Sequence, residues 1–155
     1  MDSYRSLDVW KIAHEASVLA YRSCDQAYQG RSRTIFDQFR RAALSVEANI
    51  VEGYALGTPA LCLRHLRIAF GSAAEAECLI RLTKELQYLP VEICDQLEVL
   101  LGRAMQMLRR LMRNPPAAPT HDAPRTTHGL SAHDAPRTTH GLSTHDARRT
   151  THVDG

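Results

Sequence analysis

The chain has 155 residues, with 19 Lys or Arg against 17 Asp or Glu, a formal net charge of +2 and 44% hydrophobic residues. That length suits one ordinary domain and is short for two; the near-neutral charge excludes a globally basic, histone-like polycation but leaves room for a local basic face. No apolar run approaches the ~18 residues of a bilayer span and Met1-Asp2-Ser3-Tyr4-Arg5 carries no leader pattern, so a cytoplasmic chain without membrane contact is expected.

In chain order, segment one covers about residues 6–29, with Leu7, Trp10, Ala13, Ala16, Leu19, Ala20 and Cys24 at helical spacing and a stop near Gly30. Segment two, about 33–56, alternates Phe36, Phe39, Ala43, Val46 and Ile50 three and four residues apart, the seam of a bundle helix, and ends at Gly57. Thr58 before Pro59 is a restart signal, an N-cap followed by proline at the first helical position. Segment three, about 59–87, carries one apolar row through Leu61, Leu66, Ala69, Ala73, Ala76 and Ile80. A second row runs through Ile68, Leu79, Leu82 and Leu86, and two buried rows are expected. Segment four follows Pro90 with Cys94, Leu97, Leu101, Ala104, Leu108 and Leu111. Nothing repeats with the period of two that strands need. The expected fold is all-α, an up-and-down antiparallel four-helix bundle over residues 1–114.

Composition changes at Asn114-Pro115-Pro116. Residues 115–155 read as three twelve-residue repeats, Thr120 to Ser131, Ala132 to Ser143 and a drifted Thr144 to Gly155. One Leu at most per repeat, beside Gly and Pro, cannot offset chain entropy, so a disordered tail is expected. Its six histidines, spaced seven and five apart, match no structural zinc pattern and read as repeat expansion. Cys24, Cys62, Cys78 and Cys94 form no C-x-x-C pair and read as small buried hydrophobes. No metal or cofactor is expected.

On segment two, Arg41, Ser45, Asn49 and Glu52 share a helix face, and segment three offers Ser72 and Glu75. Glu52 and Glu75 are spaced to meet, but no nucleophile or histidine stands at a fixed offset and no Glu-x-x-His pair projects inward. A structural polar network of Ser45, Asn49, Glu52, Ser72 and Glu75 is therefore expected, with no catalytic residue. His14 and His65 read as packed or surface residues.

All basic residues but Lys11 and Lys84 are arginine, which suits bidentate phosphate contact. Arg40 and Arg41 lie in the cluster opening segment two, Arg64 and Arg67 one turn apart on segment three, and Arg109, Arg110 and Arg113 close segment four. In an antiparallel bundle the end of segment four falls near the start of segment three, gathering five of these at one end. A solvated face, with cations favoured at a helix C-terminus, is the plainer reading; a nucleic-acid-binding surface is the sharper one.

Tyr4-Arg5-Ser6-Leu7-Asp8-Val9-Trp10, followed by Ala13, resembles the opening Y-x-x-L-x-V-W-x-x-A of a bacterial family of four-helix-bundle or rRNA intervening-sequence proteins. Arg40-Arg41-Ala42 through Ser45, Asn49-Ile50 and Glu52-Gly53 resembles its R-R-A-x-x-S-I-P-x-N-I-A-E-G. Ile68-Ala69-Phe70-Gly71-Ser72-Ala73-Ala74-Glu75 is similar to its I-A-x-G-S-x-x-E, and Lys84-Glu85-Leu86-Gln87-Tyr88-Leu89 to its K-x-L-G-Y-L. Glu47 stands where that family usually has proline. The resemblance spans residues 4 to about 112 and implies a homopentameric ring. It also implies a distant relation to retroelement accessory proteins that partner a reverse transcriptase and bind nucleic acid. The expected function is a non-enzymatic, homo-oligomeric RNA- or DNA-binding accessory protein. The alternatives are a scaffold docking a reverse transcriptase or another partner, and a small-molecule or metal binder in the core. Leu56, Leu63 and Phe70, outside the main rows, are expected between subunits.

Overall fold

The computed structural model describes residues 4–56 and 58–114; the repeat tail, 115–155, and the reading of it as disordered lie outside them. Four helices account for nearly all of the described chain: α1, Asp8–Gln26; α2, Arg33–Ala55; α3, Pro59–Glu85; and α4, Val91–Arg113. Each packs on its neighbours in sequence, α1 closes the ring against α4, and the backbones of the diagonal pairs stay apart. Side-chain pairs fix the directions. Asp25 meets Arg40 while His14 meets Glu47, and Ser45 meets Ser72 while Asn49 meets His65. Lys84 meets Asp95 while Arg109 meets Phe70. Residue numbers rise on one helix as they fall on the next, so the bundle is antiparallel and up-and-down.

The helix boundaries have local causes. A 3₁₀ turn at Tyr4–Ser6 leads into α1, whose first-turn Asp8 sits favourably at the positive end of the helix dipole. The helix ends at Gln26, before the expected stop at Gly30, because Gln29 and Ser32 build a separate 3₁₀ turn closed by a capping box. Thr58 caps α3 by accepting the Leu61 N–H at 3.3 Å, with Pro59 at the first position. The far end of α3 closes with Tyr88 N–H donating to the Thr83 carbonyl and Gln87 N–H to that of Lys84, a Schellman arrangement. It forces Gln87 to φ 55, where glycine is the unstrained residue.

The core forms two layers. Phe36, Phe39, Ile80, Leu97 and Leu101 fill one half, and Val9, Val46, Ile50, Leu66 and Leu108 the other. On α2 the buried row includes every expected position. On α1 it is turned by about one residue: Val9 and Ile12 are buried, whereas Leu7, Trp10 and Leu19 are only half-covered. On α3 the expectation of two buried rows is corrected. Leu66, Ala69, Ala73, Ala76 and Ile80 are inside, but Ile68, Leu82 and Leu86 are 42%, 41% and 43% exposed and Leu61 is 37% exposed. A helix at the corner of a four-membered ring has two neighbours close to one side, so one stripe about 100° wide is all it can bury. Leu79 and Phe70 are partly covered against the core, and Gly71 faces outward with the exposed row.

Candidate nucleic-acid interface

A polar seam in two stretches joins α2 to α3. Arg41 donates to Gln38 at 2.8 Å, and Gln38 donates to Glu75. Farther along, Ser45 and Ser72 share a hydroxyl hydrogen bond at 2.9 Å. Asn49 donates its amide to the Ser45 carbonyl at 2.9 Å, which leaves Asn49 Oδ1 as an acceptor. His65 Nδ1 lies 3.0 Å from that oxygen and 3.2 Å from Glu52 Oε2. With two acceptors before it, Nδ1 must carry the proton. His65 is thus the residue that ties Asn49 and Glu52 into one unit across the helix pair, although its isolation in the sequence pointed to a packed or surface residue. Glu52 and Glu75 do not meet: one serves His65 and the other Gln38, toward opposite ends of the seam. Beside His65 the helices touch at Gly53, where an added Cβ would stand 3.0 Å from His65 Cβ and 3.3 Å from the Cys62 carbonyl oxygen.

The basic residues divide by end. Where α2 and α4 begin and α1 and α3 finish, most cations hold carboxylates. Arg40, 19% exposed, bonds Asp25 of α1 and Asp37 at 2.6 Å, and its guanidinium lies 5.7 Å from the Tyr21 ring centre. The Asp37 hydrogen bond, first, holds its pKa above the ordinary arginine value. Arg33 pairs with Asp37 at 3.7 Å, Arg81 with Glu77 at 2.6 Å, and Lys84 with both Asp95 and Glu98. Arg31 lies over the Tyr88 ring at 5.5 Å.

The opposite end is different. Residues 59–74 and 99–114 contain no Asp or Glu, and they carry Arg64, Arg67, Arg103, Arg109, Arg110 and Arg113. All six are exposed, and among the described residues none has a carboxylate within ion-pair range. Arg109 lies over the Phe70 ring at 5.1 Å, which sets the last turns of α4 against the turn of α3 that holds Arg67. Arg113 follows one turn later on the same side of α4. Arg103 and Arg110 occupy the neighbouring face, and Arg110 also borders a shallow groove with Leu7, Asp8 and Val9 at the start of α1 and Met107 and Leu111 of α4. The nearby carboxylates are already engaged: Asp8 with Lys11, Glu47 with His14, Glu52 with His65. Of the arginines singled out in the sequence, five therefore stand unpaired at one end, Arg40 is tied into the α1–α2 contact, and Arg41 belongs to the polar seam. Arg103 was missed; the absence of acidic residues from the second half of α4 is the signal that finds it.

Elsewhere the chemistry is quiet. Burial pushes the Cys24 thiol up to about 12 and also raises Cys62 and Cys94, so three of the four cysteines are held as neutral thiols; Cys78 is exposed. Among the described residues no group of three or more His, Cys, Asp or Glu side chains is placed to hold a metal ion. No described helix is long and apolar enough to cross a membrane.

Residues 5–110 match the family model described as 23S rRNA-intervening sequence protein. No curated protein matches the chain.

Proposed function

This chain belongs to the 23S rRNA-intervening sequence protein family, and from that premise we propose that it is a non-enzymatic, homo-oligomeric accessory protein that binds nucleic acid through the arginine end of its bundle. The observation that carries the reading is the set of six exposed arginines, Arg64, Arg67, Arg103, Arg109, Arg110 and Arg113, with no described carboxylate to neutralise them. Guanidinium groups left unpaired on rigid helices are preorganised for bidentate phosphate contact. RNA is the first ligand to try, given the family's description. The two carboxylates that invited an acid/base reading, Glu52 and Glu75, are each committed to a structural partner, which favours binding over catalysis.

Self-association is assigned to the outer face of α3. Ile68 and Leu82 lie on one exposed row of α3 with the small residues Gly71 and Cys78 and with Glu75, and the row continues through Arg64 and Leu61 into the arginine end. A fivefold ring is the assembly that the family resemblance implies. The same face favours a second reading, a scaffold that docks a protein such as a reverse transcriptase; there the apolar α3 stripe would be the primary surface and the arginines secondary.

Fluorescence anisotropy with a labelled, structured RNA over a salt series tests the leading reading. Each neutralised phosphate contributes about −0.9 to the slope of log K against log salt, so six arginines per chain limit the slope to about −5 per bound chain. A slope between about −3 and −5 is expected. Affinity that is flat with salt, or undetectable, would contradict it. Light scattering should give a multiple of the chain mass that collapses to the monomer in Ile68→Glu/Leu82→Glu.

A further inference from the structure

We infer that the arginine end grips the sugar–phosphate backbone of a double-helical nucleic acid and neither stacks nor reads its bases; this rests on the nucleic-acid reading above and names its ligand class. Proteins that hold single strands offer exposed aromatic faces on which unpaired bases stack. At this end Tyr54, in the last turn of α2, is half-buried, and three further rings have neighbours against them. Tyr4 stands edge-on to Trp10 at 5.2 Å, Trp10 is stacked on His14 at 5.1 Å, and Phe70 is packed on the core below and covered by Arg109 above. The exposed tyrosines, Tyr21 and Tyr28, belong to the last turns of α1 and the link after it, at the other end, and Tyr21 lies under Arg40.

Reading base edges inside a groove is also blocked by shape. The major groove is about 12 Å wide and takes one helix or one ribbon. The arginines here sit on α3 and α4, two helices packed side by side with α1 and α2 beneath. Helices about 10 Å in diameter with axes 8–10 Å apart present a front roughly 20 Å across, too broad to enter. What such a convex front can touch is the outside of a duplex, where phosphates stand in rows. From Arg103 to Arg113 the patch runs about 15 Å along α4, the axial length of four to five base pairs. Arg64 and Arg67 widen it across α3. Contacts of this kind position a protein on a helix without specifying sequence.

The test uses the full chain and fluorescence anisotropy with four probes at one salt concentration. They are an RNA hairpin with a stem of about 15 base pairs, the same hairpin with every stem pair inverted, an unstructured single strand of equal length, and a DNA duplex of equal length. The two hairpins should bind within about threefold of each other and the single strand about tenfold more weakly or worse. The DNA duplex assigns the preferred helix form. Phe70→Leu keeps the apolar packing and removes the ring beneath Arg109, and it should change hairpin and single-strand affinity by the same factor, because no base stacks on that ring. A single strand that binds as tightly as the hairpins, a more than tenfold preference for one stem sequence, or a Phe70→Leu loss confined to the single strand would overturn the inference and leave the nucleic-acid reading standing. Failure of all four probes to bind would remove both.

Discussion

The two ends of this bundle are built from the same four helices and use arginine in opposite ways. At the end with Arg40, guanidinium groups are neutralised by Asp37 and Glu77 on their own helices, and Arg40 also crosses to Asp25 of α1. At the other end six guanidinium groups meet no described carboxylate, and cohesion comes from apolar packing, the Asn49–His65–Glu52 cluster and the close approach at Gly53. Positive charge is mostly paired at one end and free at the other. The lesson is that a count of basic residues says little; what marks a surface as available is the absence of acidic residues from the two helical stretches that form it.

The contrast can be broken from either side, and the effects should fall in a definite order. The largest is expected at Gly53, where the arginine end depends on close packing. Gly53→Ala pushes a methyl against His65 and the Cys62 carbonyl and should cost about 2–3 kcal/mol in a urea melt. A loss under about 0.5 kcal/mol would mean that the helices separate there without penalty.

Next comes pH at the paired end. Cys24 stays a neutral thiol in the folded chain up to about 12, whereas an unfolded thiol ionises near 9.0. Because the folded pKa is the higher, this contribution is complete below pH 9 and is lost as pH climbs toward 12. At about 1.4 kcal/mol per unit, Cys24 alone should remove roughly 2 kcal/mol by pH 10.5. Cys24→Ala should flatten the alkaline slope; an unchanged slope would contradict the assignment.

Arg40→Ala should cost about 1.5 kcal/mol, from its charge-assisted hydrogen bonds to Asp25 and Asp37 and its packing on Tyr21. Gln87→Gly should do the reverse and stabilise by about 1 kcal/mol, because it relieves the positive φ at the α3 terminus. The smallest effect is expected where the charge is free. Arg109→Ala/Arg113→Ala should move the melting midpoint by under about 0.5 kcal/mol in total, since nothing but solvent, the helix dipole and the Phe70 ring holds those side chains.

Much of the fold was legible in the sequence because its signals are local. The 3-4 alternation from Phe36 to Ile50 identifies the buried side of α2, and Thr58-Pro59 marks the start of α3, since capping chemistry depends only on adjacent residues. What was not legible depends on the neighbours. Ile68, Leu82 and Leu86 look as apolar as Leu66 and Ile80, and only the placement of α2 and α4 decides which row is covered. His65 stands alone in the sequence because its partners, Asn49 and Glu52, lie on another helix. The arginines of the candidate interface could be named, but their pairing could not: Arg40 and Arg109 look alike until Asp25 is brought to one and Phe70 to the other.

The central claim, that one end of the bundle is a nucleic-acid surface and the other is not, is tested most directly by removing charge from each end in turn. Arg67→Ala/Arg109→Ala/Arg113→Ala should weaken binding to a labelled RNA hairpin by about a hundredfold or more and lower the salt slope by about 3. Arg31→Ala/Arg33→Ala/Arg81→Ala, which removes the same charge from the opposite end, should leave affinity within about threefold and the slope nearly unchanged. Equal losses from the two triple variants, or a larger loss from the second, would contradict the account.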